Sequence, residues 1–264
     1  MKFILTLTVI LYSINLFGQE WKSTEEWFNY QLENYGLANT DSKTELLKYD
    51  FSKLFLETSE QQIYGIIGSK MQRIRIKWIS INQDPNNPEN YYVYGKTKVK
   101  SNVCGFTGIL KVKTIRLYPE GVYDMPYRSK INPDKIGVLY CDYILTENSN
   151  ENHTGVFKGI SATDFYIHQD TLFYNNLRSG ADDMTNNRFV GSWTSYNNGT
   201  PKICFWGDYR IPNLYGLDCG AARFSPCEKF MKFGWENFDL ARYHGQESEE
   251  IKRAREMEFE KWWE

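Results

Sequence analysis

The chain lacks every short signature that commonly holds catalytic chemistry in place. It has no G-x-S-x-G nucleophile elbow, no H-E-x-x-H, no G-x-x-x-x-G-K phosphate loop and no G-x-G-x-x-G dinucleotide fingerprint. The segment Gly65-Ile66-Ile67-Gly68-Ser69-Lys70 has the wrong glycine spacing for a phosphate loop and reads as a turn between strands. Histidine is scarce. His153, His168 and His244 are the only three, each in a polar turn or near an element end, and no neighbours supply metal or Ser-His chemistry, so surface roles are expected. There is no C-x-x-C pair, and neither a metal nor a cofactor is implied. An excess of one charge is missing too: 31 basic residues against 33 acidic ones are interspersed along the chain, which excludes the basic face of a nucleic-acid binder. A non-catalytic role is therefore the leading expectation.

Long apolar runs are also absent, except at the start. Lys2 gives a positive opening, Phe3 to Phe17 is almost uncharged, and Gly18-Gln19 offers a small residue for cleavage. Residues 1–18 read as a secretory signal peptide. The run is short for a bilayer, and Glu20, Lys22 and Ser23 follow at once, so the membrane is met only through this transient leader. An exported bacterial protein, periplasmic or secreted, is expected. In such a compartment the five cysteines can form disulfides, and the odd count leaves at least one thiol over. Cys219 and Cys227 are close enough in sequence to close a short loop; Cys204 with Cys219 is the competing pair.

What is plentiful is aromatic: 16% of the chain, with 19 Tyr and 8 Trp, much of it alternating with polar residues near glycine. Such side chains suit a pleated, half-buried surface. Three segments follow the leader. Residues 19–61 are helical at first: Ser23 and Glu26 fit a capping box, Trp27, Tyr30, Gln31 and Asn34 continue the period to Gly36, and Lys43 to Leu56 holds a second short helix with Leu46, Leu47, Phe51, Leu54 and Phe55 buried. Residues 62–243 change to period two. Arg73, Arg75 and Lys77 alternate with Ile74, Ile76 and Trp78 as the wet and dry faces of a strand, and Tyr91 to Ser101 resumes after a polar loop, Asp84 to Asn90. Further strands are expected at Thr107 to Tyr118, Gly137 to Thr146, Gly155 to Ala162, Asp164 to Gln169, Thr171 to Asn175, Arg188 to Tyr196 and Lys202 to Tyr209. Residues 244–264 form a charged C-terminal helix, capped by Ser248 and supported by a Glu249–Arg253 pair, with Ile251, Ala254, Phe259, Trp262 and Trp263 as its apolar stripe. Eight to nine strands without long helices between them predict a mainly β fold, an antiparallel up-and-down barrel or a sandwich, with a helix at each end.

The densest aromatic cluster runs from Phe189 to Asp218. Two strands around Asn198-Gly199 are expected to set Trp193 near Trp206, with Asp208, Tyr209 and Arg210 beside them. An indole pair stacks on a sugar face or an apolar ligand, and Asp208 and Arg210 direct hydrogen bonds, so these five residues form the candidate binding surface. The alternative is an aromatic cross-strand ladder with an Asp208–Arg210 pair fixing a turn. Gly191-Ser192-Trp193, with the strand count and the terminal helix, resembles the calycins, the lipocalin and avidin type of up-and-down barrel, over Gln62 to Tyr209. Tyr94-Gly95-Lys96, Phe189-Val190-Gly191 and Trp206 to Pro212 also resemble exported bacterial proteins, which implies a compartment. The expected partner is a small molecule, a glycan or an envelope protein. Two rivals stand beside this: a polysaccharide hydrolase using a carboxylate pair drawn from Asp124, Asp142, Asp164, Asp208 and Asp218, and an interaction module working through the C-terminal helix.

Overall fold

The computed structural model describes residues 23–123, 131–179, 181–212 and 216–264. The leader 1–18 and Asp124 lie outside the described residues. Nine strands carry the fold: β1 (Ile63–Ile67), β2 (Gln72–Asp84), β3 (Asn87–Val99), β4 (Asn102–Leu117), β5 (Lys135–Glu147), β6 (Gly155–His168), β7 (Thr171–Tyr174), β8 (Asn186–Ser195) and β9 (Pro201–Asp208). All pairings are antiparallel. Each of β1 to β6 pairs with the next, β6 continues to β8 and β8 to β9, and β9 returns to β1, Gly65 facing Trp206. Eight strands thus close an up-and-down ring. The short β7 extends beside the last turn of β6, past the stretch that pairs with β8. Closure pairs each of the eight ring strands on both sides and, among the described strands, leaves only the short β7 with an unpaired edge.

Several strand boundaries differ from the sequence expectation. β1 takes in Gly65 to Ile67 of the expected turn, and β4 starts at Asn102 rather than Thr107. β2 and β3 run on to Asp84 and Asn87, so the polar stretch is a tight hairpin rather than a loop, with the Asn86 amide donating to Asp84 Oδ1 at 2.9 Å. Gly155 to His168 is one strand instead of two, because Ser161 and Thr163 keep the inward alternation although they are polar; Thr163 Oγ1 is bonded to Asn187 Oδ1 at 2.9 Å. The expected hairpin turn after β6 is present: His168 faces Thr171, with Gln169 and Asp170 at positive φ.

Rings fill the barrel. Phe189 stacks on Trp206 with centroids 4.7 Å apart, Trp78 meets Phe106 edge-on, and Tyr143 contacts both Phe189 and Trp206. Room for Tyr143 comes from Gly159 and Gly191, which face each other across β6 and β8. A Cβ at either would lie 2.7 or 2.4 Å from the Tyr143 hydroxyl.

Chain outside the ring closes one end and covers two sides. Helix α1 (Thr24–Asn34) is capped by Ser23, whose Oγ accepts the Glu26 amide, and buries Trp27 and Phe28 on the outer faces of Val138, Tyr140 and Ile160. After α2 (Lys43–Leu46) a 3-10 turn, Ser52–Leu56, carries Leu54 and Phe55, with Phe51 just before it, into the end of the barrel against Phe165, Tyr91 and Phe189. This plug is fixed by Asn187 Nδ2 donating to the Leu54 carbonyl at 2.9 Å.

At the other terminus, α3 (Phe238–Ala241) precedes α4 (Glu249–Glu258), where Ser248 Oγ accepts the Ile251 amide. The helix is shorter than the sequence suggests, ending six residues before the C-terminus, and Glu249 pairs with Lys252 instead of Arg253. Its last residue, Glu258, receives Arg73 through two bonds of 2.7 and 2.6 Å and Arg242 at 3.0 Å. Arg75 reaches Glu60 at 2.9 Å and the Glu258 carbonyl at 2.8 Å, and Trp262 Nε1 donates to the same Glu60. The arginine face of β2, expected to be wet, is therefore dry: these guanidinium groups are sealed beneath α4 and the residues after it. Such burial is tolerated only because each charge is paired and bonded.

Candidate functional site

The alternation that builds the barrel also aims polar groups into it. On β5 the inward side chains are Leu139, Cys141, Tyr143 and Leu145, and the next inward position is Glu147. The same parity places Thr97 of β3, Phe157 of β6 and Trp193 of β8 inward at the end of the ring opposite the plug. Among the described residues no helix lines this end. The turns β1–β2, β3–β4 and β5–β6, with Trp193 of β8 and Lys202 of β9, surround a cavity of about 700 Å³. Its apolar wall is Ile67, Ile74, Val99, Phe157 and Trp193, and Lys70, Lys100, Lys202 and His153 line it as well.

Glu147 sits in this wall with 4% of its surface exposed. Its Oε1 accepts Thr97 Oγ1 at 2.8 Å; its Oε2 accepts Trp193 Nε1 at 2.9 Å and the Gly155 amide at 3.0 Å. Desolvation raises its pKa, and the three donors oppose that rise. No cation pairs with it among the described residues. Lys202 lies over the Trp193 ring, 5.2 Å from the centroid, on the strand position facing Trp193. The mouth therefore combines an apolar wall, a buried acceptor and a cationic rim, the mixture that orients a small molecule.

The five residues expected to form one surface are distributed over four places. Trp193 is in the mouth. Trp206 is not beside it: the register of β8 with β9 sets Phe189 opposite Trp206 and Lys202 opposite Trp193, so the two indoles lie apart along the barrel, each touching Phe157. Asp208 is at the plugged end, fully buried, accepting Tyr174 Oη and Asn187 Nδ2, both at 2.8 Å. Burial pushes its carboxyl up to about 7. Tyr209 follows at φ 63 in the turn that leaves β9. Arg210 is on the outside, bonded to Asp218 and to the Asp182 carbonyl, so the Asp208–Arg210 pair does not form. Arg210 lines an outer cleft of about 530 Å³ together with Arg188 and Asp218, but Arg188 is already engaged by Asp164 and Gln31.

The carboxylates weighed for hydrolysis are equally dispersed. Asp142 pairs with Lys113 on the outer face, Asp164 with Arg188, and Asp218 with Arg210, while Asp208 is inside. Cys219 and Cys227 are disulfide-bonded; Cys204, like Cys104 and Cys141, is a buried free thiol, and desolvation raises the pKa of all three. Among the described residues no helix is long and apolar enough to cross a membrane.

Glu147, Thr97 and the three lysines are the residues that motif reading missed. One signal was available: an acid on the inward parity of a strand whose other inward residues are apolar. Comparisons with protein-family models, curated proteins and solved structures found no match.

Proposed function

We propose that this is an exported, non-catalytic binding protein that holds a small amphipathic ligand in the open mouth of its barrel. The observation that carries the reading is the contrast in covering: one end of the ring is filled by Phe51, Leu54 and Phe55, and the other leaves an apolar-walled cavity of about 700 Å³ with Glu147 built into it. A cavity of that size suits one small ligand. The Gly191-Ser192-Trp193 resemblance to calycins agrees with it, since Trp193 belongs to the wall. Export rests on the leader-like residues 1–18, and the Cys219–Cys227 bridge suits an oxidising periplasmic or extracellular setting. The dispersal of the aspartates speaks against the hydrolase, and the ion pairs of Glu258 speak for α4 as part of the fold rather than as a partner-capturing face.

The test is fluorescence titration with N-phenyl-1-naphthylamine. Saturable binding is expected, and Val99→Trp, which fills the mouth, abolishes it while leaving the unfolding midpoint nearly unchanged. Binding that survives Val99→Trp, or no binding to the wild-type protein, contradicts the reading.

A further inference from the structure

Resting on that reading, we infer that the mouth selects small anionic aromatic molecules that enter with a hydrogen-bond donor leading and the anion trailing at the rim. Three features of the cavity set this polarity. Lys70 and Lys100 come from the β1–β2 and β3–β4 turns and Lys202 from the start of β9, and all three line one opening; none is ion-paired among the described residues. Convergent cations over a low-dielectric wall concentrate anions at the entrance and repel cationic amphiphiles.

The inner end has the opposite sign. Glu147 is buried and carries no cation partner among the described residues, whereas Glu151, bonded to Asn148, is exposed in the β5–β6 turn and belongs to the rim. An anion is therefore kept from the inner end. A carboxylate offers about four acceptor positions, and three are taken by Thr97, Trp193 and Gly155, which leaves one for a ligand donor. Between the two ends, the Trp193 indole and the Phe157 ring, inclined at 56° to each other, give an aromatic lining against which a ring system packs edge or face. The matching ligand has a ring system, an N–H or O–H at one end, and a carboxylate, sulfonate or phosphate at the other.

Three naphthalenes separate these features in calorimetric titration of the full protein. 6-Hydroxynaphthalene-2-sulfonate has donor and anion at opposite ends, naphthalene-2-sulfonate lacks the donor, and 2-naphthol lacks the anion. The first is expected to bind about tenfold more tightly than either of the others, with an affinity that falls as salt rises. Replacing all three lysines (Lys70→Gln, Lys100→Gln, Lys202→Gln) is expected to weaken both sulfonates by about tenfold, leaving 2-naphthol and the melting temperature unchanged. Two-naphthol binding as tightly as the hydroxysulfonate overturns the anion selection; naphthalene-2-sulfonate binding as tightly overturns the donor-first orientation. In both cases the mouth remains a binding site. Failure of all three to bind while N-phenyl-1-naphthylamine still binds overturns this inference alone; failure of that probe as well overturns the mouth reading.

Discussion

The two ends of the barrel each bury an acid, and they treat it differently. At the plugged end Asp208 is enclosed by protein on every side, with Tyr174 and Asn187 as donors and the Ser52–Leu56 turn as a lid that shares Asn187. Thr58 Oγ1 bonds Tyr174 Oη at 3.2 Å and extends the network outward. At the mouth Glu147 has three donors against the two of Asp208, but beyond it lie a cavity and three lysines that carry no ion pair among the described residues, instead of a plug. The lesson is that a satisfied buried acid is not by itself a site. What distinguishes Glu147 is the space in front of it, shaped by apolar residues and not filled by any other described residue.

The largest expected effect breaks the plugged end. Phe55→Ala removes a fully buried ring wedged between Tyr91 and Phe189, and is expected to cost about 3–5 kcal/mol in urea unfolding. Glu147→Ala leaves Trp193, Thr97 and Gly155 without their acceptor, yet water entering from the mouth can replace it, so a smaller loss of about 1–2 kcal/mol is expected. Equal losses at the two positions would mean that the mouth is as much core as the plug.

A third experiment sharpens the contrast through pH. The Asp208 carboxyl, ordinarily at 3.8, is pushed to about 7, so the native state holds its proton more tightly than the unfolded chain does. Its stabilising contribution is full below the unfolded value and is lost as pH rises through about 7. Glu258 acts in the opposite sense: held down to about 2 by Arg73 and Arg242, it contributes above 4.5 and loses that contribution as pH falls. Stability is expected to peak near pH 4–5. Asp208→Asn should flatten the decline between pH 5 and pH 8 in urea midpoints, while a decline of unchanged steepness would assign it to other groups.

Much of the barrel was legible in the sequence because its strands repeat with period two over long stretches, and because turns such as Gln169-Asp170 announce themselves. Ser23 and Ser248 identified both helix starts for a similar local reason. The failures were non-local. Nothing near Arg73 or Arg75 in sequence says that Glu258 and Glu60 will cover them, and an alternating basic strand reads as wet until the covering chain is known. The distance between Trp193 and Trp206 depended on the β8–β9 register, which pairs Trp193 with Lys202 rather than with the other indole. Asp208 looked like a surface acid beside Arg210, but the inward parity of β9, shared with Cys204 and Trp206, turns it into the core. The same parity, followed along β5, would have singled out Glu147.

The most direct test follows indole N–H resonances while 6-hydroxynaphthalene-2-sulfonate is titrated into the protein, with the Trp193 signal assigned by Trp193→Phe. Trp193 Nε1–H, bonded to Glu147 in the mouth, should shift progressively and saturate, whereas Trp206, stacked on Phe189 deep in the ring, should stay in place. A stationary Trp193 signal, or a shift at Trp206 as large as at Trp193, would contradict the account of a barrel sealed at one end and receptive at the other.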